Sequence, residues 1–155
     1  MAGFTNRNRL NITLGAMAKT VRADVERALK RGGLQIENDA VEGIINPPKT
    51  GRIYPSKHRK GAMHQASAPG QFPAADSGRL HQSITTATVQ NDDRAVVVET
   101  GANAPYAMAL EFGTSKMEPR PFMTPSFQQN EAHIRGQVTQ AVARSLQRSA
   151  RGKKS

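Results

Sequence analysis

The chain has 155 residues, which fits one domain, and its 22 Lys and Arg residues outnumber 12 Asp and Glu residues to give a formal charge of +10. Only 37% of the residues are apolar and none is tryptophan, so we expect a thin core, and the absence of cysteine excludes disulfides and thiolate metal sites. Without a signal-peptide core or an apolar run near the roughly 18 residues of a membrane span, we expect a soluble protein of a reducing cytoplasm that is attracted to polyanions or acidic surfaces.

The first predicted element is an amphipathic helix from Leu14 to Ile44, preceded by an N-terminal arm over residues 1–13. Apolar residues recur in the helix at steps of mostly three and four, with charged residues between them. Gly32 and Gly33 each cost about 1 kcal/mol relative to alanine inside a helix. We therefore predict a kink or a close packing contact at this pair.

Residues 46–78 show no sustained periodicity, carry five prolines and contain basic residues with no acid among them between positions 49 and 60. A structureless stretch of this length in a compact domain is uncommon and typically marks function or disorder. We predict an extended loop that becomes ordered by pairing with an adjacent subunit. The expected subunit-interface residues are Ile53, Tyr54, Met63 and Phe72.

Two antiparallel strands are predicted next, from Leu80 to Gln90 and from Arg94 to Thr100, joined by an Asn-Asp-Asp turn. Residues 104–112 suit one or two helical turns as well as a strand. A C-terminal helix then opens at Thr124-Pro125, because proline is tolerated at the first helical position and the residue before it takes cap angles. We expect this helix to end near residue 149, where a basic tail over 149–155 follows.

This order of elements predicts a single α+β domain over residues 1–155. A small antiparallel sheet should pack against a long N-terminal helix and a C-terminal helix, with the extended loop between them. A sheet of so few strands exposes its edges, and exposed edges tend to find partners.

Residues 109–127, here called the elbow, contain three of the five phenylalanines and three prolines around a Gly-Thr turn. Pro119 and Pro121 should fix the backbone. We expect Phe112 and Phe122 to be mostly buried, and Gly113 to take a backbone angle that disfavours a side chain.

Sequence motifs for catalysis are almost absent. The chain has no phosphate-binding Gly-rich loop with Lys, no HExxH, no GxSxG and no paired-cysteine metal spacing. Its four histidines are scattered, and Asp92 and Asp93 lie in a predicted turn where backbone capping explains them. We therefore predict no catalytic residue, no metal and no cofactor.

Two basic stretches suit either a solubilising surface or a contact with DNA or an acidic partner. Few aromatic residues are interleaved with them, so contact with the DNA backbone, without base reading, is the strongest version that the residues permit. The candidate contact residues are Arg52, Lys57, Arg59, Lys60, Arg148, Arg151, Lys153 and Lys154.

The segments HQASAPGQFPAADSGRLHQSI (residues 64–84) and AVVVETGANAPYAMALEFGTSKMEPRPFMTPSF (95–127), with the helix that follows, resemble a family of phage proteins. These are the tail-component, or tail-completion, proteins that lambdoid siphophages and many prophages encode between their head and tail genes. The resemblance covers residues 64–146 well and the first helix only in kind, and Gln71-Phe72 departs from the acid and proline that members often carry there. The motif residues expected to be structural are Tyr106, Glu111, Phe112, Gly113, Thr114, Pro119, Arg120, Pro121 and Phe122.

The resemblance implies a non-enzymatic virion protein of the phage neck, assembled in the host cytoplasm, whose copies form a ring at the head–tail junction for tail completion or head–tail joining. Its implied partners are other copies and other neck, connector or tail-tube proteins, with non-specific contact with genome DNA and no membrane. A rigid elbow suits a ring subunit, because a small angular error repeats at every contact and prevents closure. The alternatives are a basic nucleic-acid-binding module unrelated to virions and, more distantly, a small metal-dependent phosphodiester-cleaving enzyme.

Overall fold

The computed structural model describes residues 7–13, for which only the backbone is considered, and residues 19–151. The elements are, in chain order, β1 Arg7–Thr13, α1 Lys19–Ile45, β2 Ile53–Pro55, β3 Met63–Gln65, α2 Arg79–Gln82, β4 Ile84–Asn91, β5 Ala95–Ala102, α3 Ala107–Phe112 and α4 Met123–Arg151. Two long helices and two small antiparallel sheets confirm the predicted α+β class.

The main sheet is three-stranded, with the antiparallel order β1-β5-β4. Ile84 of β4 lies opposite Ala102 of β5, and a bulge interrupts this pairing between Thr88 and Gln90. The predicted N-terminal arm supplies β1, a third strand that the sequence did not predict, over residues 7–13. Because β5 has a neighbour on each side, its residues are buried from 96 to 102, which explains its unbroken valine run.

The helix α1 packs against both β4–β5 and α4, and two glycines permit this close approach. A Cβ on Gly32 would lie 2.7 Å from Cγ1 of Ile134 in α4, and one on Gly33 would lie 2.6 Å from Cγ2 of Thr86 in β4. Backbone O of Gly33 also accepts a hydrogen bond of 3.2 Å from the buried Thr100 hydroxyl. Of the two outcomes predicted for this glycine pair, close packing is confirmed, and α1 continues through it.

Several predicted boundaries are wrong. Leu80 belongs to the short helix α2, so the first hairpin strand begins only at Ile84. The C-terminal helix begins at Met123, before the predicted Thr124-Pro125 start, and continues through Arg151. The start of the predicted first helix at residues 14–18 and the tail residues 152–155, with Lys153 and Lys154, lie outside the described residues.

A helix that crosses a bilayer must be both long and apolar. No helix in the described part of the chain meets both conditions.

A candidate binding cleft beside the elbow

The elbow is held by one buried carboxylate. Glu111, near the end of α3, is only 3% exposed, and its Oε2 accepts hydrogen bonds of 2.9 and 3.0 Å from the backbone N–H groups of Phe122 and Met123. Its Oε1 accepts a third, of 2.8 Å, from the N–H of Thr124. The next residue, Pro125, has no N–H to satisfy. Glu111 therefore caps the amino end of α4, where a negative charge also complements the helix dipole.

A tight turn follows α3. Gly113 has φ 75°, and a Cβ there would lie 2.8 Å from the backbone O of Met117, so the prediction of an angle that disfavours a side chain is confirmed. The N–H of Thr114 donates to O of Met117 at 2.7 Å, which closes the turn. The chain then returns to α3, because the N–H of Arg120 donates to O of Leu110 at 2.6 Å.

The two key phenylalanines of the elbow have opposite environments. Phe122 is 0% exposed, as predicted, and belongs to the main core. Phe112 is 62% exposed, so the prediction that it is mostly buried is wrong. Adjacent side chains on a helix point about 100° apart, so a helix that turns Glu111 inward to cap α4 turns Phe112 towards solvent.

Residues 46–78, predicted as an extended loop that pairs with an adjacent subunit, contain a small sheet formed within the chain itself. β2 and β3 form a two-stranded sheet in which Tyr54 lies opposite His64, and their rings are 5.2 Å apart. The segment is also tied to the elbow of the same chain, because Gly70 N–H donates to O of Pro119 at 2.9 Å and Nε of Arg120 donates to O of Ser67 at 3.2 Å. Short polar contacts thus supplement the apolar contacts that this segment makes with the core through residues such as Phe72.

A cleft of about 1030 Å³ lies between the β2–β3 sheet, the segment that follows it and the elbow. Its apolar and aromatic lining includes Tyr54, Tyr106, Leu110 and Met117. Its cationic side chains are Arg52, Lys57, Arg79 and Arg120. Residues that the sequence assigned separately to an interface, to a structural motif and to a basic contact therefore line one cavity.

The carboxylate of the cleft is already engaged within the chain. Asp76 accepts a hydrogen bond of 2.6 Å from the Ser56 hydroxyl, and its Oδ1 lies 3.8 Å from Nδ1 of His64. The Ser56 hydrogen bond, opposed by partial desolvation and assisted by the nearby charges of His64, His58 and Arg59, holds the pKa of Asp76 below its ordinary value. Asp76 therefore stays ionised at neutral pH and orders the cleft wall.

The cations of the cleft lack such partners. None of Arg52, Lys57, Arg79 and Arg120 forms an ion pair with any carboxylate in the part of the chain that the structure describes. The cleft also holds the hydroxyl of Ser67, which is 1% exposed and has no hydrogen-bond partner among the described residues. A concave surface with unpaired cations and an unsatisfied buried hydroxyl is suited to an anionic ligand.

A second basic surface lies between α1 and α4, in a groove of about 400 Å³ that we call the arginine groove. It is lined by Arg27, Arg31, Arg144, Arg148 and Arg151. Asp24, 8% exposed, forms ion pairs at its base with Arg27 and Arg148. Burial raises the pKa of Asp24, but the hydrogen bonds from Arg27 and Ser145 and the charge of Arg148 outweigh this and leave it below its ordinary value.

The remaining predicted contact and interface residues lie apart from the cleft. Arg59 and Lys60 are exposed in the connection between β2 and β3. Ile53 and Met63 are 57% and 61% exposed on this small sheet. Phe72 instead packs on the core of its own chain, against Gly43 of α1.

A match to a family model shows the family of the chain. Residues 8–113 match the family described as "Bacteriophage HK97-gp10, putative tail-component". The chain belongs to this family of phage tail components. No curated protein and no solved structure gives a significant match. A tail component is a structural protein of the virion, which agrees with the family resemblance found in the sequence.

Two features of this tail component were missed from the sequence. The sequence did not reveal the capping role of Glu111, because the amides that it caps lie more than ten residues further along the chain. A capping acid is usually sought in the first turn of the helix, and the first turn of α4 contains none. The roles of Ser67 and Asp76 depend on contacts across the cleft and leave no local pattern. No group of three His, Cys, Asp or Glu residues in the described ranges is arranged to hold a metal ion.

Proposed function

We propose that this tail component is a non-enzymatic neck protein whose copies assemble into a ring at the head–tail junction and complete the tail or join it to the head. The observation that carries the proposal is the rigid display of Phe112, a large exposed aromatic on a framework fixed by Glu111 and Gly113. Exposed aromatic side chains with little conformational freedom are typical anchors of protein interfaces.

Exposed apolar residues on the β2–β3 sheet extend the same argument. Ile53 and Met63 are mostly exposed, and both lie on a sheet whose following segment is tied to the elbow by the backbone hydrogen bond from Gly70 to Pro119. A ring requires a heterologous contact in which one surface of a subunit meets a different surface of the next. Phe112 and the β2–β3 sheet would supply one such surface, and the open edge of β4 would supply a second.

The test is assembly of the purified protein and of particles that carry its variants. Phe112→Ala should leave the fold intact, because the ring is exposed, but should lower the ring fraction seen by electron microscopy and light scattering. Interface anchors typically cost 2 kcal/mol or more on truncation, about 30-fold in a contact affinity. Particles with this variant should accumulate heads and tails that are not joined.

Leu34→Ala is the matched control, since Leu34 is 43% exposed on α1, away from the elbow. It should assemble as the wild type does. Wild-type assembly by Phe112→Ala would remove the elbow from the interface. A structure of the particle that shows no ring of this protein at the neck would overturn the proposal itself.

The arginine groove favours a second candidate, contact with the phosphate backbone of DNA. Its five guanidinium groups face one carboxylate, Asp24, and guanidinium pairs well with phosphate oxygens. No aromatic side chain lines the groove, so this contact would carry no base specificity. Arg148 and Arg151, predicted from the sequence, would act here together with Arg144.

Fluorescence anisotropy with a DNA duplex tests this candidate. Replacing Arg144 and Arg151 together by Gln should reduce the dependence of log affinity on log salt by about two, because each phosphate contact contributes roughly 0.9. Lys49→Gln and Arg94→Gln together form the control, with the same loss of charge at exposed positions outside the groove and the cleft. Equal slopes for the two double variants would show that the groove is not the DNA contact.

A further inference from the structure

The cleft has a composition that identifies the kind of partner it would bind. Four permanent cations surround it, and the carboxylate in its wall is already bonded to Ser56. Arg52, Lys57 and Arg79 are exposed and Arg120 is half-buried, and cations that have no carboxylate partner among the described residues attract an anionic group. The ligand must therefore carry negative charge.

The lining of the cleft shows that the ligand needs an apolar group as well as negative charge. Tyr54, Tyr106, Leu110 and Met117 line the cavity with apolar surface that only an apolar group can cover favourably. Leu110 and Met117 adapt in shape to an apolar side chain, whereas Tyr54 and Tyr106 could also stack on nucleic-acid bases, so DNA enters the experiment below as a competing ligand. A recessed cavity also receives an extended peptide more readily than the convex surface of a DNA duplex.

The buried Ser67 hydroxyl adds a directional requirement. Its Oγ is enclosed and has no partner among the described residues, although the backbone O of the same residue is held by Arg120. A buried hydroxyl without a partner has a desolvation cost that no hydrogen bond offsets. A carboxylate or peptide carbonyl in the cleft would accept its hydrogen bond and remove that cost.

We infer that the cleft binds an acidic, extended segment of a different virion protein, in which carboxylates flank an apolar side chain. This inference rests on the proposed function as a neck and tail component. A second copy of the chain is a poor donor of such a segment because its formal charge is +10. Several of its acids are also engaged within the chain, Asp24 and Asp76 by basic and hydroxyl groups and Glu111 by the α4 amides.

The experiment uses the full chain and two synthetic peptides. One is a short peptide of Asp and Glu residues around a central Leu-Phe pair, and the other has Asn and Gln at the acidic positions. Isothermal titration at low salt should show binding of the acidic peptide and at least tenfold weaker binding of its amide counterpart. No binding of the acidic peptide, or equal binding of both, would overturn the inference.

Variants then place the peptide in the cleft. Arg52→Gln and Arg79→Gln should each weaken binding of the acidic peptide about two- to fivefold, the range expected for partly exposed charges. Lys30→Gln, an equal loss of charge on the exposed face of α1, should leave binding unchanged. If Lys30→Gln weakens peptide binding equally, only the net charge of the protein matters, and the peptide cannot be assigned to the cleft.

Ser67→Ala separates binding from folding. Because its hydroxyl has no partner among the described residues, the variant should unfold at or above the wild-type denaturant midpoint, yet bind the peptide more weakly, by about threefold or more. Unchanged affinity would contradict the role of Ser67.

Duplex DNA serves as the competing ligand. Displacement of the peptide by DNA, with the loss of DNA binding in Arg52→Gln, would reassign the cleft to nucleic acid. Ring formation is scored separately by electron microscopy, so rings without peptide binding would refute only this inference. Peptide binding without rings at the neck would refute only the ring proposal.

Discussion

The helix–sheet body and the cleft region achieve order in different ways. In the body, α1, α4 and the main sheet bury a continuous set of aliphatic side chains, such as Val25, Ile36 and Val98, each 0% exposed. In the cleft region, the β2–β3 sheet and the elbow are held by backbone amides, one capping carboxylate and a Ser56–Asp76 hydrogen bond. Hydrophobic burial stabilises the body, whereas polar contacts position the cleft.

This difference leads to a direct comparison of two phenylalanines. Phe122→Ala should destabilise the protein by about 3–5 kcal/mol, because the ring is fully buried in the body. Phe112→Ala should change stability by less than about 1 kcal/mol, because its ring is mostly in water. Urea unfolding followed by circular dichroism measures both, and similar midpoints for the two variants would contradict the distinction.

The next largest effect should come from the polar cap. Glu111→Ala leaves three N–H groups at the start of α4 without their acceptor, and we expect a loss of about 3 kcal/mol. Glu118→Ala, an exposed acid in the same elbow, is the control and should cost less than about 0.5 kcal/mol. If denaturant unfolding shows equal costs, α4 does not depend on the cap.

Glycine substitutions test the close packing in the body. Gly32→Ala should cost about 1–3 kcal/mol, because its Cβ would overlap Ile134. Gly136→Ala in α4 has open space around its Cβ and should instead stabilise the protein by up to about 1 kcal/mol, through helix propensity. Thermal melts of the two variants should shift in opposite directions, and a shift in the same direction would contradict the packing of α1 on α4.

The smallest effect concerns Asp24 and pH. Its folded pKa lies below the unfolded value of 3.8, so its ion pairs contribute stability that is complete above the unfolded pKa and is lost as pH falls through the folded pKa. The stability difference between wild type and Asp24→Asn should therefore be constant from pH 7 to about 5 and shrink below 3.8. Asp93→Asn, an exposed pair with Arg22, should show little difference at any pH, and the same acid dependence for both variants would contradict the role of Asp24.

The sequence predicted the body better than the cleft, for a physical reason. Helical periodicity identified α1 and α4, and the valine run identified β5, because burial imposes a repeating pattern on each of these elements. No such pattern marks β1, whose place depends on pairing with β5. The orientation of Phe112 and the cap by Glu111 could not be predicted, because each depends on the rotation of α3 against the start of α4.

The cleft itself was predicted only in parts. Arg52, Lys57 and Tyr54 were singled out as contact residues, and Tyr106 and Arg120 as motif residues, but composition cannot show that they surround one cavity. Ser67 and Asp76 belong to an irregular segment that hydrogen bonds tie to the elbow, and Arg79 begins the short helix α2 that follows it. Side chains joined only by such contacts leave no period in the sequence.

The link between Glu111 and the start of α4 also has a mechanical consequence. The helix α4 has 29 residues, so at 1.5 Å per residue it is about 43 Å long, and it is held by the Glu111 cap at its start and by the Asp24–Arg148 ion pair near its end. Phe112 lies next to Glu111, the residue that caps the start of α4. A tilt of roughly 5° of α4 about its capped start would move its far end by about 4 Å at that length and would have to break the Asp24–Arg148 ion pair, so the elbow and the arginine groove are held in fixed relative positions.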